Sequence, residues 1–297
     1  TSFALGLLRS LRPQSVSLCY SIRIKNGASA SRSFFLLLPI PQETAFQYNL
    51  SPVEHSIRPT MIDQEPLFGN RFAIWNLSLN PYEKCLIEQR MRIRLFPRLL
   101  PVSSEEVQPI PFRSSPHVDP SCNEIESMAR TLRETNENDH LTLALAINRF
   151  VIDSLTYGNP IQGLYFAEDA LRKEVVDCGG YSALFVALCH ACGIPARILS
   201  GFWTTTNTQS MHAWAEVFLP QGGWVAVDPS VEQLRKLGRS RRVGSFGSVG
   251  SDRIVYGIGC DIPVLINGTE QIVDILQTPS LFPNDPSLQV SYTFSTV

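Results

Sequence analysis

The chain has 297 residues, of which 44% are hydrophobic and 18% are charged, with a formal net charge of −2. These values are typical of a globular protein, exclude a largely disordered chain, and do not indicate a nucleic-acid or membrane partner. No apolar run reaches the roughly 18 residues of a membrane-spanning helix. The N-terminal stretch lacks a clear small-residue cleavage site, so it is not predicted to be a signal peptide, and we expect a cytoplasmic protein.

Residues 15–100 are predicted to be rich in β-strands. Apolar and polar residues alternate in the segments SVSLCYSIRI, NRFAIWNLSL and CLIEQRMRIRLFP. The pair Asn26-Gly27 is a strong turn signal. The run RSFFLLLPIP suits a buried strand that ends at prolines. These strands predict a β-sandwich-like N-terminal domain over residues 1–105.

The next part of the chain is predicted to be helical. Prolines between residues 97 and 120 indicate an extended linker. Ser121 and Glu124 then form a capping-box pattern, which predicts the start of a helix. Apolar residues recur at helical spacing in four segments, 121–135, 140–155, 165–174 and 178–192.

Strands return after the last of these helices. The segments ARILSGFW, HAWAEVFLP and GWVAVDP are predicted strands, and a turn at Pro220–Gly223 makes the last two antiparallel neighbours. Short strands are predicted in RIVYGI, DIPVLING and SYTFSTV near the C-terminus. The pattern predicts an α+β fold with a second domain over residues 106–297, whose core spans 120–235 and whose C-terminal strands run to 297.

Cys178 lies at the predicted start of the helix over 178–192. Unpaired backbone N–H groups and the helix dipole favour negative charge there, which would favour a thiolate. The pair Gly179-Gly180 lowers helix propensity. We interpret these glycines as room for a substrate carbonyl to approach the sulfur, with the Cys178 N–H as an oxyanion donor. A lone cysteine is more often a buried small residue, so this interpretation depends on its partners.

His212 and Asp228 are the predicted partners of Cys178. They lie on two consecutive predicted strands, and the turn between those strands brings them to the same end of a hairpin. In that arrangement the carboxylate accepts a hydrogen bond from one imidazole nitrogen, and the other nitrogen faces the sulfur. Pro229 restricts Asp228 to an extended conformation. A nucleophile, a base and a group that orients the base point to acyl transfer through a thioester.

The segments ALRKEVVDCGGYSALFVALCHACGIPARILSGF and MHAWAEVFLPQGGWVAVDPS closely resemble the transglutaminase-like superfamily of papain-type thiol enzymes, over roughly residues 120–235. The resemblance implies a papain/transglutaminase-like core, in which a helix bearing the cysteine packs on an antiparallel sheet. In many bacterial members a β-rich domain precedes this core. The resemblance implies Cys178 as nucleophile, His212 as general base and acid, and Asp228 as the orienting residue. Val176 stands where the family usually has Gly, so the cleft before the nucleophile is expected to differ.

Further residues are candidates for substrate binding. Tyr157 and Asn159 follow the second core helix, and Tyr157 is a candidate second oxyanion donor; a packing or turn role is the alternative for both. Trp203 and Trp214 are candidates for walls of the cleft, with core packing as the alternative. Gly179 belongs to the same proposed substrate-binding and oxyanion region.

We predict no metal and no cofactor. The seven cysteines are odd in number and dispersed, which argues against a disulfide framework. Cys189 and Cys192 have CxxC-like spacing, but no second pair accompanies them. There is no HExxH motif and no dense acidic calcium loop.

Two classes of function remain after the sequence has been considered. The first is a thiol enzyme that forms an acyl-enzyme on Cys178 from a peptide, protein or acyl-amide substrate, and passes the acyl group to an amine or to water. Transfer and hydrolysis share every catalytic residue, so both stay open. The second class is a non-catalytic peptide-binding module on the same fold. The sequence does not predict the oligomeric state.

Overall fold

A computed structural model describes residues 9–99, 115–136, 139–204 and 211–297. The fold is α+β, as the sequence predicts. The strands within residues 9–99 are β1 Gln14–Asn26, β2 Arg32–Pro39, β3 Gln47–Asn49, β4 Glu54–His55, β5 Met61–Gln64, β6 Arg71–Leu79, β7 Lys84–Leu95 and β8 Arg98–Leu99. The helices are α1 Asn123–Thr135, α2 His140–Ser154, α3 Ala167–Lys173, α4 Cys178–Ala191 and α5 Pro229–Lys236. The later strands are β9 Thr156–Tyr157, β10 Val175–Val176, β11 Ala196–Trp203, β12 Met211–Leu219, β13 Gly223–Val227, β14 Gly244–Ser245, β15 Ser248–Val249, β16 Arg253–Ile258, β17 Ile262–Ile266, β18 Thr269–Val273, β19 Ser280–Phe282 and β20 Leu288–Thr296.

Two antiparallel sheets form a sandwich-like unit. One has the strand order β20-β1-β7-β3, with β4 also paired to β7, and the other has the order β19-β2-β6-β5. The alternation that was evident in the sequence places one face of each long strand in a shared core. Tyr20 on β1, Leu36 on β2 and Trp75 on β6 are buried in that core.

The C-terminal strands differ from the expected division at residue 105. We expected the strands after residue 250 to belong to the second half, and β16 does pair with β11 there. However, β20 pairs with β1 and β19 pairs with β2, so both join the N-terminal sheets. The physical reason lies in the aromatic core, where the ring of Phe294 on β20 lies 5.8 Å from Tyr20 and stacks on Phe202 at 4.3 Å.

The start of α1 also differs from the prediction. The N-cap is Cys122, with no side-chain cap, so the expected capping box of Ser121 and Glu124 is wrong. Ser121 instead turns back to Asp119, whose Oδ1 accepts from the Ser121 hydroxyl at 2.7 Å. Glu124 pairs with Arg172 at 2.6 Å. Both side chains thus bond to other partners.

Within the described residues, no helix combines the length and apolar character needed to cross a membrane.

Helix α4 lies at the centre of the second core. Its residues from Gly179 to Cys189 are all buried, because the helix is apolar on every side and neighbours surround it. These neighbours are α1, α2, α3 and the sheet β13-β12-β11-β16. β12 and β13 form the expected hairpin, with Ala215 opposite Val227. The register brings the start of β12 and the end of β13 to one edge of the sheet.

Candidate active site

The sulfur of Cys178 faces the beginning of β12. Cys178 is the first residue of α4 and follows a short parallel pairing in which Val176 lies opposite Tyr157. Its sulfur accepts a hydrogen bond from the backbone N–H of Ala213. Because Ala213 directly follows His212, the helix start and the strand start meet at this point.

His212 and Asp228 are joined by a short hydrogen bond. The distance from His212 Nε2 to Asp228 Oδ2 is 2.8 Å, and both side chains are buried. Asp228 is the N-cap of α5, and its Oδ1 accepts from the Val231 N–H at 3.1 Å. Because Nε2 carries the hydrogen donated to Asp228, Nδ1 is the nitrogen available as a base. The structure thus pairs His212 with Asp228 and places Ala213, the residue after His212, against the Cys178 sulfur.

Opposing effects act on the protonation of this pair. Burial raises the pKa of Asp228, but the charges and hydrogen bonds of His212 and Arg253 outweigh burial and hold it well below its usual range. Burial lowers the pKa of His212, and the attraction of Asp228 only partly offsets this effect. Near pH 7 the carboxylate is therefore ionised and the imidazole is neutral, which is the state in which His212 can accept a proton.

The thiol of Cys178 is protonated in the resting state. Burial, with a further contribution from the Asp177 carboxylate, raises its pKa to about 12. We expected the helix N-terminus to favour a thiolate, but Asp177 occupies that position as the N-cap. Its Oδ1 accepts from the N–H groups of Gly179 at 3.0 Å and Gly180 at 3.2 Å. The site therefore rests as a neutral thiol beside a neutral imidazole.

The two glycines after Cys178 are explained by packing. A Cβ at position 180 would lie 2.6 Å from Cγ2 of Val176, which is buried. A Cβ at Gly179 would lie 3.1 Å from Leu164 Cδ1. We interpreted this pair as room for a substrate carbonyl, but the structure explains both glycines by close contact with neighbouring side chains. The side chain of Val176 therefore accounts for the glycine at position 180.

Tyr157 lies beside Cys178, whereas Asn159 faces away from it. Burial, together with the proximity of Cys178 and Asp177, raises the pKa of the Tyr157 hydroxyl, so that it remains a hydrogen-bond donor. The side chain of Asn159 is exposed and donates to the carbonyl of Val175 at 3.4 Å. Its backbone has a φ of 44°, which is typical of a turn position. The geometry keeps Tyr157 as a candidate oxyanion donor and gives Asn159 a turn role.

Both predicted tryptophans contact the imidazole. Trp203 stacks on His212 with a centroid distance of 4.2 Å, and the Trp214 ring lies 5.7 Å from it at an interplanar angle of 13°. Trp203 is 8% exposed and Trp214 is 1% exposed, so they hold the imidazole of His212 more than they line an open cleft. Arg242 lies over the Trp203 ring at 3.9 Å.

Arg253 is the site residue that sequence reasoning missed. Its Nη1 lies 2.5 Å from Asp228 Oδ2, the same oxygen that accepts from His212. Its Nη2 donates to the carbonyl of Val243 at 2.5 Å. The residue is 5% exposed. The available signal was a lone cation at the start of the apolar segment RIVYGI, which calls for a buried partner.

Two clusters among the described residues have the composition of a metal site, and neither includes the residues above. One comprises His117, Asp261 and Asp274, and the other Cys122, Glu124 and Glu168. In the first cluster, His117 Nδ1 already pairs with Asp261 at 2.6 Å. In the second, Glu124 already pairs with Arg172. Both clusters are therefore accounted for by internal ion pairs and hydrogen bonds.

The fold resembles that of a solved structure over almost its whole length. A crystal structure of a candidate cysteine protease from Cytophaga hutchinsonii superposes with a TM-score of 0.58 at 15% identity, covering 96% of this chain and 91% of that one. At this identity the likeness concerns the fold alone. Residues 126–229 match the core of the transglutaminase-like superfamily.

Two curated relatives match shorter parts of the chain. The protein-glutamine gamma-glutamyltransferase of Pseudomonas aeruginosa is 24% identical over 167 residues, which are 49% of this chain and 24% of that protein. The protein YebA of Bacillus subtilis is 31% identical over 68 residues, which are 18% of this chain and 9% of that protein. The chain thus spans a quarter or less of the length of these relatives.

Proposed function

Because residues 126–229 belong to the transglutaminase-like superfamily, we propose that this chain is a thiol enzyme that forms an acyl-enzyme on Cys178. The observation that carries the proposal is the pairing of His212 Nε2 with Asp228 at 2.8 Å, beside a cysteine at a helix start. Constellations of a nucleophile, a base and an orienting residue perform acyl transfer on several unrelated folds, where geometry and not chain order defines them.

In the first half-reaction, the Cys178 sulfur attacks the carbonyl carbon of an amide while His212 Nδ1 accepts the thiol proton. The developing imidazolium is stabilised by the Asp228 carboxylate. We assign the oxyanion to the Cys178 N–H and the Tyr157 hydroxyl, whose raised pKa keeps it protonated. The C–N bond then breaks, His212 returns its proton to the leaving amine or ammonia, and a thioester remains on Cys178.

In the second half-reaction, an amine or water attacks the thioester carbonyl and gives its proton to His212. The C–S bond breaks, and the sulfur leaves as a thiolate that takes the proton back from His212. The resting neutral pair is thereby restored, which agrees with the raised pKa of the thiol and the lowered pKa of the imidazole.

We propose a side-chain or main-chain amide of a peptide or protein as the acyl donor. The name of the Pseudomonas relative supports a glutamine carboxamide, and the likeness to a candidate cysteine protease keeps the peptide bond in consideration. The two donors need the same catalytic residues, so the choice depends on the cleft and on the acceptor.

The test is a product analysis with a glutamine-containing peptide, with and without a labelled primary amine. Transfer predicts incorporation of the amine with release of ammonia, and hydrolysis predicts a glutamate product or a cleaved peptide. The matched control is Cys189→Ala, which removes another cysteine of the same helix, while Cys178→Ala should lose every product. A non-catalytic binding module would bind peptides, and neither the wild type nor Cys189→Ala would form a product.

A further inference from the structure

Asp177 connects the nucleophile to a neighbouring turn. Its Oδ1 accepts from the N–H groups of Gly179 and Gly180, in the first turn of α4. Its Oδ2 accepts from the N–H of Ile161 at 3.0 Å, in the turn that follows β9. Both carboxylate oxygens are therefore used, and a half-buried negative charge lies one residue before the nucleophile.

This arrangement acts against ionisation of Cys178. A helix start favours a thiolate because its N–H groups are unpaired and carry a partial positive charge. The carboxylate of Asp177 pairs with those donors and adds a like charge to that of a thiolate. A second carboxylate, Asp228, also disfavours the thiolate, whereas the N–H groups of Gly179 and Ala213 favour it.

The other ionisable groups around the sulfur come from separate elements. Tyr157 lies on the short strand beside it, His212 lies on β12, and Arg253 lies on β16, where it neutralises Asp228. Arg253 already neutralises the charge of Asp228. Asp177, by contrast, is bonded by the backbone N–H groups of Ile161, Gly179 and Gly180, and none of these partners is a cation.

We propose that Asp177 is a positioning residue that acts with burial to keep Cys178 a neutral thiol in the resting enzyme, by occupying the helix N-terminus that would otherwise favour its thiolate. This inference rests on the proposed function, since it assigns the resting state of the same nucleophile. It predicts that proton transfer to His212 accompanies attack on the substrate and does not precede it.

The experiment is the rate of iodoacetamide alkylation of Cys178 against pH, followed by peptide mass mapping. Asp177→Asn keeps an oxygen for the glycine N–H groups and removes the charge. We expect its alkylation profile to move to lower pH by about one unit, so that the rate near neutral pH rises about tenfold. Asp177→Ser, which also caps a helix without a charge, should shift the profile in the same direction.

The chain offers a matched control in Asp139. It is the N-cap of α2, and its Oδ1 accepts from the Thr142 N–H at 2.9 Å, but it lies in another helix. Asp139→Asn makes the same change of charge at a helix cap, should keep the cap because Asn and Asp cap about equally well, and should leave the Cys178 profile in place. If both Asp177 variants keep the wild-type profile while folded, Asp177 is a helix cap alone and the inference is overturned.

The outcome separates this inference from the proposed function. Alkylation requires no substrate, so a shifted profile in an enzyme that forms no acyl-enzyme would retain the role of Asp177 and reject the function. An unshifted profile in an enzyme that does form an acyl-enzyme would reject the role of Asp177 and retain the function.

Discussion

The two halves of the molecule use their buried polar residues differently. In the sandwich-like unit, Gln42, Gln47, Asn70 and Gln89 are at most 3% exposed, and their neutral amides satisfy backbone groups. Around the candidate active site a buried ionisable chain of His212, Asp228 and Arg253 is added to such amides, one of which, Gln277, donates to the carbonyl of His212 at 3.1 Å. Neutral amides confer rigidity without a dependence on pH, whereas buried charges respond to protons and to substrate.

The buried amides of the sandwich-like unit nevertheless contact β16, the strand that carries Arg253 of the candidate active site. Gln47 bonds both the N–H and the carbonyl of Val255, at 2.8 Å and 2.9 Å, and Gln42 Nε2 donates to the carbonyl of Tyr256 at 2.9 Å. β16 begins at Arg253, so these amides fix the strand that presents Arg253 to Asp228. Mutations should therefore have different effects in the two halves. Changes at the buried charges of the candidate active site should alter activity, and changes at the buried amides of the sandwich-like unit should alter stability.

The largest effect is expected for Asp228→Asn. The amide keeps the shape of the side chain but cannot stabilise an imidazolium, and its NH₂ group would oppose the Nε2–H of His212. We expect kcat to fall by about 10³- to 10⁴-fold, as with an equivalent change in a catalytic triad. Steady-state kinetics would measure the loss, with Asp153→Asn on the exposed face of α2 as control. A loss below tenfold would remove Asp228 from the mechanism.

Arg253→Met should have a smaller effect and should move a pH profile. Arg253 lowers the pKa of His212, so its removal raises that pKa. Because the base must be neutral, activity should then be lost at a higher pH on acidification, and kcat/KM should fall by about ten- to a hundredfold at neutral pH.

Arg253→Lys keeps the charge and provides the comparison for this prediction. The acid limb of its pH–rate profile should stay close to that of the wild type. Its kcat should fall only through loss of one of the two hydrogen bonds that Arg253 donates, to Asp228 and to the carbonyl of Val243. Equal acid limbs in the Met variant and the wild type would show that Arg253 acts by packing alone.

Gly180→Ala tests the packing of Val176 through the sign of a stability change. If the glycine served access alone, alanine would stabilise the helix by up to about 1 kcal/mol. Because a Cβ would lie 2.6 Å from Val176, we expect the free energy of unfolding to fall by about 1–3 kcal/mol. Denaturant unfolding would be measured for Gly180→Ala, for Val176→Gly and for the double variant. The double variant should lose less free energy of unfolding than the sum of the losses in the two single variants.

Gln47→Ala is expected to be the mildest change for catalysis. It leaves buried backbone groups of Val255 unpaired and should lower the free energy of unfolding by about 1–2 kcal/mol. The acid limb of the rate profile should not move, because no charge changes. Gln289→Ala, at an exposed glutamine of β20, is the control. A shifted acid limb in Gln47→Ala would contradict the division of roles between the two halves.

Local patterns in the sequence predicted most of the elements and led to Cys178, His212 and Asp228 as the candidate catalytic residues. Alternation located β1 and β7, helical spacing located α2 and α4, and a short turn between β12 and β13 set the distance from His212 to Asp228. These features depend on neighbours in the chain, which a sequence displays directly.

The features that the sequence did not reveal depend on contacts between distant segments. The pairing of β20 with β1 joins the two ends of the chain, and Arg253 reaches Asp228 across 25 positions. The packing of Val176 on Gly180 and the use of both Asp177 oxygens depend on side-chain directions at a helix start. Residue spacing alone does not specify these contacts.

The most direct test of the account is the site of acylation by p-nitrophenyl acetate, an activated ester that needs little recognition. Short incubation near neutral pH, acid quenching and peptide mass mapping would compare all seven cysteines. We predict that Cys178 is acetylated fastest in the wild type and slowly in His212→Gln, since that variant lacks the base. Acetylation of Cys178 no faster than that of the other six, or at an equal rate in His212→Gln, would contradict the assignment of Cys178 as the activated nucleophile.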